Sequence, residues 1–445
     1  TIGDEMIVAS GGRAKVFSVS IKDRAAILSG GHRGKTFWYD KDTGTFTTST
    51  YYYSSLPGWA TQWNEAKHAD TYAGTAWTLM HAPETYLFAK QDDRVFERPY
   101  KAMGRAFPHP LGESAKKEFF GALRYAPMGD ALTVDFAKTL IDAEQLGADD
   151  TTDLLAISLS VTDYIGHAYG PDSLEAEDNL LQLDRTVAAL LKHVDEKIGL
   201  DSTVIILSSD HGVDLIPEAR CADAIEGQVH AATTQSTASV EAGCDAGRHY
   251  PEKFVERIND GVMKRLGVMK PLVTTFWDPS LYLDMKAVSE LKLDAEAVER
   301  AVADEVVKLP GFNRAFTRTD LLAGRMPKDA VARAVAEAFH PQRSGHVMIV
   351  PSPFWYLYDN PEEFAAMHGT PYSYDTFVPV LIATPGGKSA KVHRRISPRS
   401  VAPTLAAIMG IVPPSGSTGE VLVEVFGETH STGVAASAAM SAASK

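Results

Sequence analysis

The sequence has no long apolar run and no cluster of basic residues. Over its 445 residues, no stretch approaches the roughly 18 uninterrupted apolar residues of a membrane-spanning helix, so we expect no membrane span. Acidic residues outnumber basic ones by 57 to 43, which gives a formal charge of -14. Binding of nucleic acid needs Lys and Arg clustered against phosphates, so this composition argues against a nucleic-acid partner.

Cysteine is also scarce. Cys221 and Cys244 lie in one polar stretch, 213–250, which is rich in Ala, Thr and Ser and is predicted to be a surface insertion. The two thiols would be bonded in an oxidising compartment and free in a reducing one, and the sequence leaves both states open. They lack C-x-x-C spacing, and two thiols alone do not make a zinc site.

Apolar runs alternate with segments of helical spacing along most of the chain. Continuous apolar strands separated by amphipathic helices are typical of an α/β fold with a mostly parallel sheet covered on both faces. We expect residues 1–431 to form a single catalytic domain and the Ala/Ser-rich residues 432–445 to form a disordered tail. The main predicted strands are 15–20, a run that ends at Thr162, 202–209, 346–350 and 378–384, and the main predicted helices are 129–147, 171–193 and 397–410.

Asp and His residues follow the ends of two predicted strands. Asp163 and His167 are four positions apart, so a helix that starts there would place both on one face. Asp210 and His211 follow the second strand, and His368 lies in a loop farther along the chain. Ligand sites in open parallel sheets lie at the carboxyl ends of strands, and carboxylate with imidazole suits Zn²⁺. Each residue alone is explained as a helix cap, a polar turn or a surface histidine, so the zinc interpretation depends on the whole set.

Lys22 and Arg24 lie just after the first predicted strand, in the segment SIKDR. In an extended segment, alternate side chains point to the same side. Two cations that project together over a metal site would bind the oxygens of a phosphate, Arg in a fork and Lys as a point charge. On spacing alone, a solvated charged turn paired through Asp23 is the simpler explanation.

Three segments, TDYIGHAYGP, SSDHG and HGTPYSYD, carry a family resemblance. Their residues, order and spacing resemble the alkaline phosphatase superfamily. Within it, the chain is most similar to the branch of periplasmic bacterial monoesterases that share a core with nucleotide pyrophosphatase/phosphodiesterases. The similarity covers almost the whole chain. It implies a three-layer α/β/α sandwich, in agreement with the sheet predicted above, and an active site that holds two zinc ions.

The resemblance also implies which residues bind the metals. Asp163, His167 and His368 would be the complete ligand set of one zinc ion. Asp210 and His211 would be two ligands of the second ion.

The resemblance further implies a phosphate-binding pair. In the monoesterase branch a Lys-x-Arg pair binds the phosphoryl oxygens, and Lys22 and Arg24 would be that pair, which favours monoesters over diesters. Family members carry a further zinc-binding Asp, a Thr or Ser nucleophile and an Asn upstream of the segment TIGDE that opens this chain. None of these can be placed in residues 1–445. We therefore expect the first part of the catalytic domain, with a signal peptide, to be missing from the sequence.

The expected function is zinc-dependent hydrolysis of phosphate monoesters through a phosphoenzyme. By the resemblance, the protein would be periplasmic or secreted, would act on small phosphoesters and would be a monomer. Two alternatives remain open. One is a phosphodiesterase or phosphonate hydrolase of the same superfamily, and the other is an inactive remnant that binds zinc without a nucleophile.

Overall fold

The computed structural model describes residues 1–114, 116–224 and 244–427, and only the backbone of residues 222–224. The predicted tail 432–445 and the central part of the predicted insertion lie outside the described residues. The strands are β1 (Val16–Ser20), β2 (Lys35–Asp40), β3 (Thr45–Thr47), β4 (Ala76–Trp77), β5 (His109–Pro110), β6 (Leu154–Ser158), β7 (Ile205–Ser208), β8 (Gly247–Arg248), β9 (Val273–Trp277), β10 (Ser280–Leu283), β11 (Phe312–Thr317), β12 (Val347–Pro351), β13 (Trp355–Tyr356) and β14 (Val380–Ala383).

Helices connect and cover these strands. The α-helices are α1 (Ile2–Ala9), α2 (Asp23–Gly30), α3 (Gly58–Glu65), α4 (Lys117–Ala122), α5 (Met128–Glu144), α6 (Val161–Tyr169), α7 (Leu174–Lys197), α8 (Pro217–Ala224), α9 (Pro251–Leu266), α10 (Met285–Glu290), α11 (Ala295–Val306), α12 (Arg318–Leu322), α13 (Ala330–Ala338), α14 (Ser373–Thr376) and α15 (Val401–Met409).

The central sheet has the strand order β3-β2-β1-β6. Strand β1 pairs in parallel with β2 and with β6, and β3 pairs antiparallel with β2. Every residue of β1 is buried, because helices cover both faces. On one face the ring of Phe136 in α5 packs against Phe37. On the other face Gly30 lets α2 approach closely, since a Cβ there would lie 2.2 Å from Thr36 Cγ2. These layers confirm the predicted α/β fold with a mostly parallel central sheet.

A second sheet occupies the later part of the chain. Its order is β11-β12-β10-β9, and every pair in it is antiparallel. Helices α9 and α11 pack on it around a separate hydrophobic core that includes Phe254, Leu281 and Val302. The predicted strand 346–350 corresponds to β12, but it pairs antiparallel on both sides and not within the mostly parallel sheet that was expected. The very short connection between β9 and β10 allows a hairpin and hence antiparallel pairing.

The prediction for residues 202–209 is wrong in one respect. This segment contains β7, but β7 pairs antiparallel with β14 rather than inside a parallel sheet. Its side chains are not fully buried, and Leu207 keeps 44% of its surface exposed. The apolar composition therefore indicated a strand, whereas the direction and burial of that strand depend on a segment far along the chain.

Cys221 and Cys244 form a disulfide, which is one of the two states that the sequence left open. The side chains of Cys221 in α8 and of Cys244 are buried together with Ala246, the residue before β8. Among the residues that the structure describes, no helix is both long enough and apolar enough to cross a membrane.

Candidate metal centre

Helix α6 carries two of the predicted ligands. Strand β6 ends earlier than predicted, and α6 begins at Val161. The Val161 N–H donates a hydrogen bond of 3.3 Å to the buried carboxylate of Asp130, which supplies a partner for one of the free N–H groups at the helix start. Asp163 and His167 therefore lie one helical turn apart, and His167 Nε2 is 3.3 Å from Asp163 Oδ1.

Two distant histidines meet the same carboxylate oxygen. Asp163 Oδ1 lies 3.4 Å from His211 Nε2 and 3.5 Å from His368 Nε2. His211 follows β7 and His368 precedes β14, so the antiparallel pairing of these strands places both loops at the same end. The rings of His211 and His368 stack with 3.4 Å between their centroids. The ligand atoms of Asp163, His167 and His368 all lie within 4.8 Å of one another.

Backbone carbonyls orient two of the imidazoles. His167 Nδ1 lies 2.8 Å from the carbonyl oxygen of Ala366, and His211 Nδ1 lies 2.9 Å from that of Gly212. A carbonyl oxygen only accepts hydrogen bonds, so each Nδ1 must carry the proton. Nε2, the ring nitrogen left to bind a metal, then faces Asp163 in both rings.

The charges around Asp163 keep its carboxylate ionised. Burial would raise the pKa of Asp163, but hydrogen bonds from His167 and His368 and the charge of Lys22 outweigh it and hold that pKa well below its ordinary value. The buried Lys22 ammonium forms an ion pair with Asp163 Oδ2. Burial lowers the pKa of His368. An ionised carboxylate beside a neutral imidazole is the protonation state that metal binding requires.

Asp210 is less closely integrated than the other predicted ligands. Its side chain is 86% exposed, and its Oδ2 lies 3.5 Å from His211 Nε2. Asp210 and His211 are therefore neighbours at the solvent-exposed side of the cluster, next to Asp163.

The two cations predicted to bind phosphate are arranged differently from the expectation. Lys22 has extended backbone geometry, but α2 begins at Asp23, so Arg24 lies in the first helical turn. The prediction of one extended segment through both residues is therefore wrong. The negative charge of Asp23 favours a helix start at this point. Lys22 contacts Asp163, whereas the exposed Arg24 side chain makes no hydrogen bond or ion pair with the described residues.

The loop that carries His368 is held by a residue that the sequence analysis did not single out. The buried Asp375 accepts hydrogen bonds from the N–H and the hydroxyl of Thr370, at 2.8 and 2.7 Å. Its carbonyl oxygen accepts a hydrogen bond of 2.7 Å from the Gly212 N–H, which joins this loop to the loop of His211. The only signal in the sequence is that Asp375 ends the segment HGTPYSYD.

A carboxylate among imidazoles at the end of a parallel sheet, with a buried lysine on the same carboxylate, is typical of metal-dependent hydrolases that act on anionic substrates. The chain belongs to the type I phosphodiesterase / nucleotide pyrophosphatase family, whose model matches residues 2–371. The predicted alkaline phosphatase superfamily, which includes this family, is thereby confirmed.

Relatives with known names are similar over most of this chain. Alkaline phosphatase PhoV of Synechococcus elongatus is 31% identical over 428 residues, which is 96% of this chain and 73% of the relative. Alkaline phosphatase PafA of Elizabethkingia meningoseptica is 28% identical, over 96% of this chain and 74% of the relative. The crystal structure of wild-type PafA superposes with a TM-score of 0.82 at 27% identity, covering 96% of this chain and 78% of that chain. These similarities confirm the predicted fold and the predicted enzyme class, phosphoric monoester hydrolase.

Proposed function

We propose that this chain belongs to a zinc-dependent phosphatase that hydrolyses small phosphate monoesters. The observation that carries the proposal is the meeting of Asp163, His167 and His368 from distant parts of the chain, with the Lys22 ammonium on the same carboxylate. The relatives named alkaline phosphatase support monoesters as the substrate class.

The donor set suits a catalytic zinc ion. Such sites combine three protein ligands, typically His nitrogen and Asp or Glu oxygen, with an open position. Asp163, His167 and His368 supply this combination and would hold the ion, and the hydrogen bond from His167 Nδ1 to Ala366 would keep Nε2 free to bind it. Zinc in such a site supplies Lewis-acid chemistry, which activates a hydroxyl nucleophile and neutralises the leaving oxygen.

The remaining predicted residues would complete the site. Asp210 and His211 would contribute two ligands to a second zinc ion. Lys22 and Arg24 would bind the non-bridging phosphoryl oxygens, where negative charge accumulates in the transition state. Because Lys22 is buried, its charge is weakly screened by water. Arg24 is exposed and has no competing ion pair in the described part of the chain, so its guanidinium is available to a bound phosphate.

Substitution of Asp163 by Asn tests the proposal, because Asn keeps the shape of the side chain and removes its charge. We expect zinc content to fall and, in protein that carries the upstream segment with the nucleophile, turnover of 4-nitrophenyl phosphate to drop by at least about 100-fold. Asp149→Asn is the matched control, since Asp149 is exposed and pairs only at the surface with Lys15. Unchanged zinc content and turnover in the Asp163 variant would exclude this residue as a ligand.

The same assay separates the alternative functions. The family model is named for a phosphodiesterase, so bis(4-nitrophenyl) phosphate is assayed beside the monoester. Faster turnover of the diester would favour a phosphodiesterase. Zinc binding without turnover of either ester would favour an inactive zinc-binding protein.

A periplasmic or secreted location is part of the proposal. The Cys221–Cys244 disulfide supports it, because disulfides persist in oxidising compartments and are rare in reducing ones.

A further inference from the structure

We propose that Arg124 binds a second phosphate group of the substrate, so that the preferred substrates are phosphate monoesters whose leaving group carries another phosphate. Nucleoside diphosphates and inorganic pyrophosphate, which are phosphoanhydrides, present the same pair of phosphate groups. The inference rests on the proposed function, because it assumes that the first phosphate binds beside Lys22.

Arg124 lies in a short 3-10 helix, Leu123–Tyr125, between α4 and α5 and is half-buried. Its guanidinium lies over three aromatic rings. The distances from Cζ to the ring centroids are 5.0 Å for Tyr164, 5.7 Å for Tyr125 and 5.9 Å for Tyr100. Its Nη1 also donates a hydrogen bond of 3.3 Å to the Tyr164 hydroxyl.

This guanidinium has no acidic partner. Within the described residues, Arg124 forms no ion pair with a carboxylate, and its Nε is buried without a hydrogen-bond partner. By comparison, Arg94 pairs with Asp172 and the buried Arg248 pairs with Glu218. Buried charges are usually paired, and a chain with a formal charge of -14 has many acids to offer. An unpaired guanidinium in such a chain indicates a site for an external anion.

Tyr164 connects Arg124 to the metal centre. It follows Asp163 directly, and its ring also lies under the Lys22 ammonium, with 4.6 Å between Nζ and the ring centroid. The two cationic groups therefore lie at most about 10 Å apart, since both contact one ring. Two phosphate groups on one molecule span this distance when each hydrogen-bonds to its own cation.

The simpler explanation is that Arg124 only braces Tyr164. Cation–π contact would hold the ring and, through it, the position of Asp163. That contact uses the face of the guanidinium, however, and Nη2, which unlike Nε is not buried, makes no hydrogen bond with the described residues. A phosphate oxygen can accept from this donor, which favours an anion over a purely structural role.

Calorimetric titration of the zinc-loaded chain with inorganic phosphate and with pyrophosphate tests the inference. We expect pyrophosphate to bind more tightly than phosphate to the parent chain. Arg124→Met keeps a long side chain against the tyrosines and removes the charge. In this variant we expect the pyrophosphate-to-phosphate affinity ratio to fall by about tenfold or more. Arg33→Met, at an exposed position away from the centre, is the matched control.

Each other outcome has a defined meaning. Equal losses for both ligands would overturn the inference and make Arg124 a positioning residue. The same applies if the parent chain prefers phosphate. Failure of the parent chain to bind either anion would overturn the proposed function, and this inference with it. If Arg124→Met unfolds, Arg124→Lys provides the test, because it retains the charge and should keep a preference for pyrophosphate. Loss of that preference in a folded Lys variant with normal phosphate binding would show that charge alone is insufficient and refute a simple second-anion site.

Discussion

The substitution Gly212→Ala should separate the two loops that bring His211 and His368 together. A Cβ at this position would lie 2.1 Å from the carbonyl oxygen of Tyr374, whereas ordinary contact begins at 3.4 Å. The obstacle is backbone, which cannot rotate away as a side chain would. The two loops must therefore move apart by about 1 Å, which close-packed surroundings resist.

That displacement acts directly on the metal ligands. Metal–ligand distances tolerate changes of only about 0.2 Å, so one loop would be too far away to coordinate properly. The hydrogen bond from the Gly212 N–H to the Asp375 carbonyl would also be strained or lost. We expect zinc affinity to fall by about 10- to 100-fold, as for the loss of other supporting contacts around metal ligands. The unfolding free energy should fall by about 1–3 kcal/mol, as for other overpacked sites.

Zinc affinity is measured by competition with a chromophoric chelator, and folding is monitored by circular dichroism. Gly58→Ala is the matched control, because a Cβ at Gly58 meets no atom within 4 Å. The control should bind zinc as the parent chain does. A folded Gly212→Ala chain with parental zinc affinity would show that the close contact of the two loops does not set the ligand geometry.

Two further predictions concern stability. Burial, followed by the charge of Glu175, raises the pKa of Glu97 from 4.5 to about 8. Between these two pH values the folded chain retains a proton that the unfolded chain releases, so the unfolding free energy falls as the pH rises from 4.5 to about 8. Glu97→Gln should therefore raise the melting temperature at pH 9 and change it little at pH 5, with the exposed Glu113→Gln as a control; equal effects at both pH values would contradict this assignment. Replacing both Cys221 and Cys244 by Ser should cost about 3 kcal/mol of unfolding free energy, because the disulfide closes a loop in the unfolded chain. Stability is measured with and without a reducing agent. If the agent destabilises the parent chain and the double variant equally, the disulfide does not account for the loss of unfolding free energy.

Much of the fold could be predicted because local patterns determine it. After Lys15, the run 15–20 is apolar or small and forms β1, and the helical spacing in 129–147 corresponds to α5. The segment 346–350 likewise corresponds to β12. Strand direction was less predictable. The antiparallel pairing of β7 with β14 depends on which distant segment reaches the strand, and an apolar run carries no information about that.

The same distinction explains the site. Asp163 and His167 share one helix, so their spacing alone predicts that they meet. The contacts with His211 and His368 depend on the pairing of β7 with β14. The position of Asp and His at strand ends suggested the set, and the family resemblance assigned it to two ions. Arg124 was not found at all, because its partners are aromatic rings from three segments and no spacing in the sequence links them.

Asp163 connects metal binding with anion binding, because its two oxygens face different partners. Imidazoles surround Oδ1, while the Lys22 ammonium contacts Oδ2. A cation bound on the Oδ1 side would withdraw negative charge from the carboxylate and weaken its hold on Lys22. The ammonium would then be more available to a phosphate, and a bound phosphate would in turn offset the added positive charge. The proposed zinc and phosphate sites should consequently strengthen each other, and by linkage the factor must be equal in both directions.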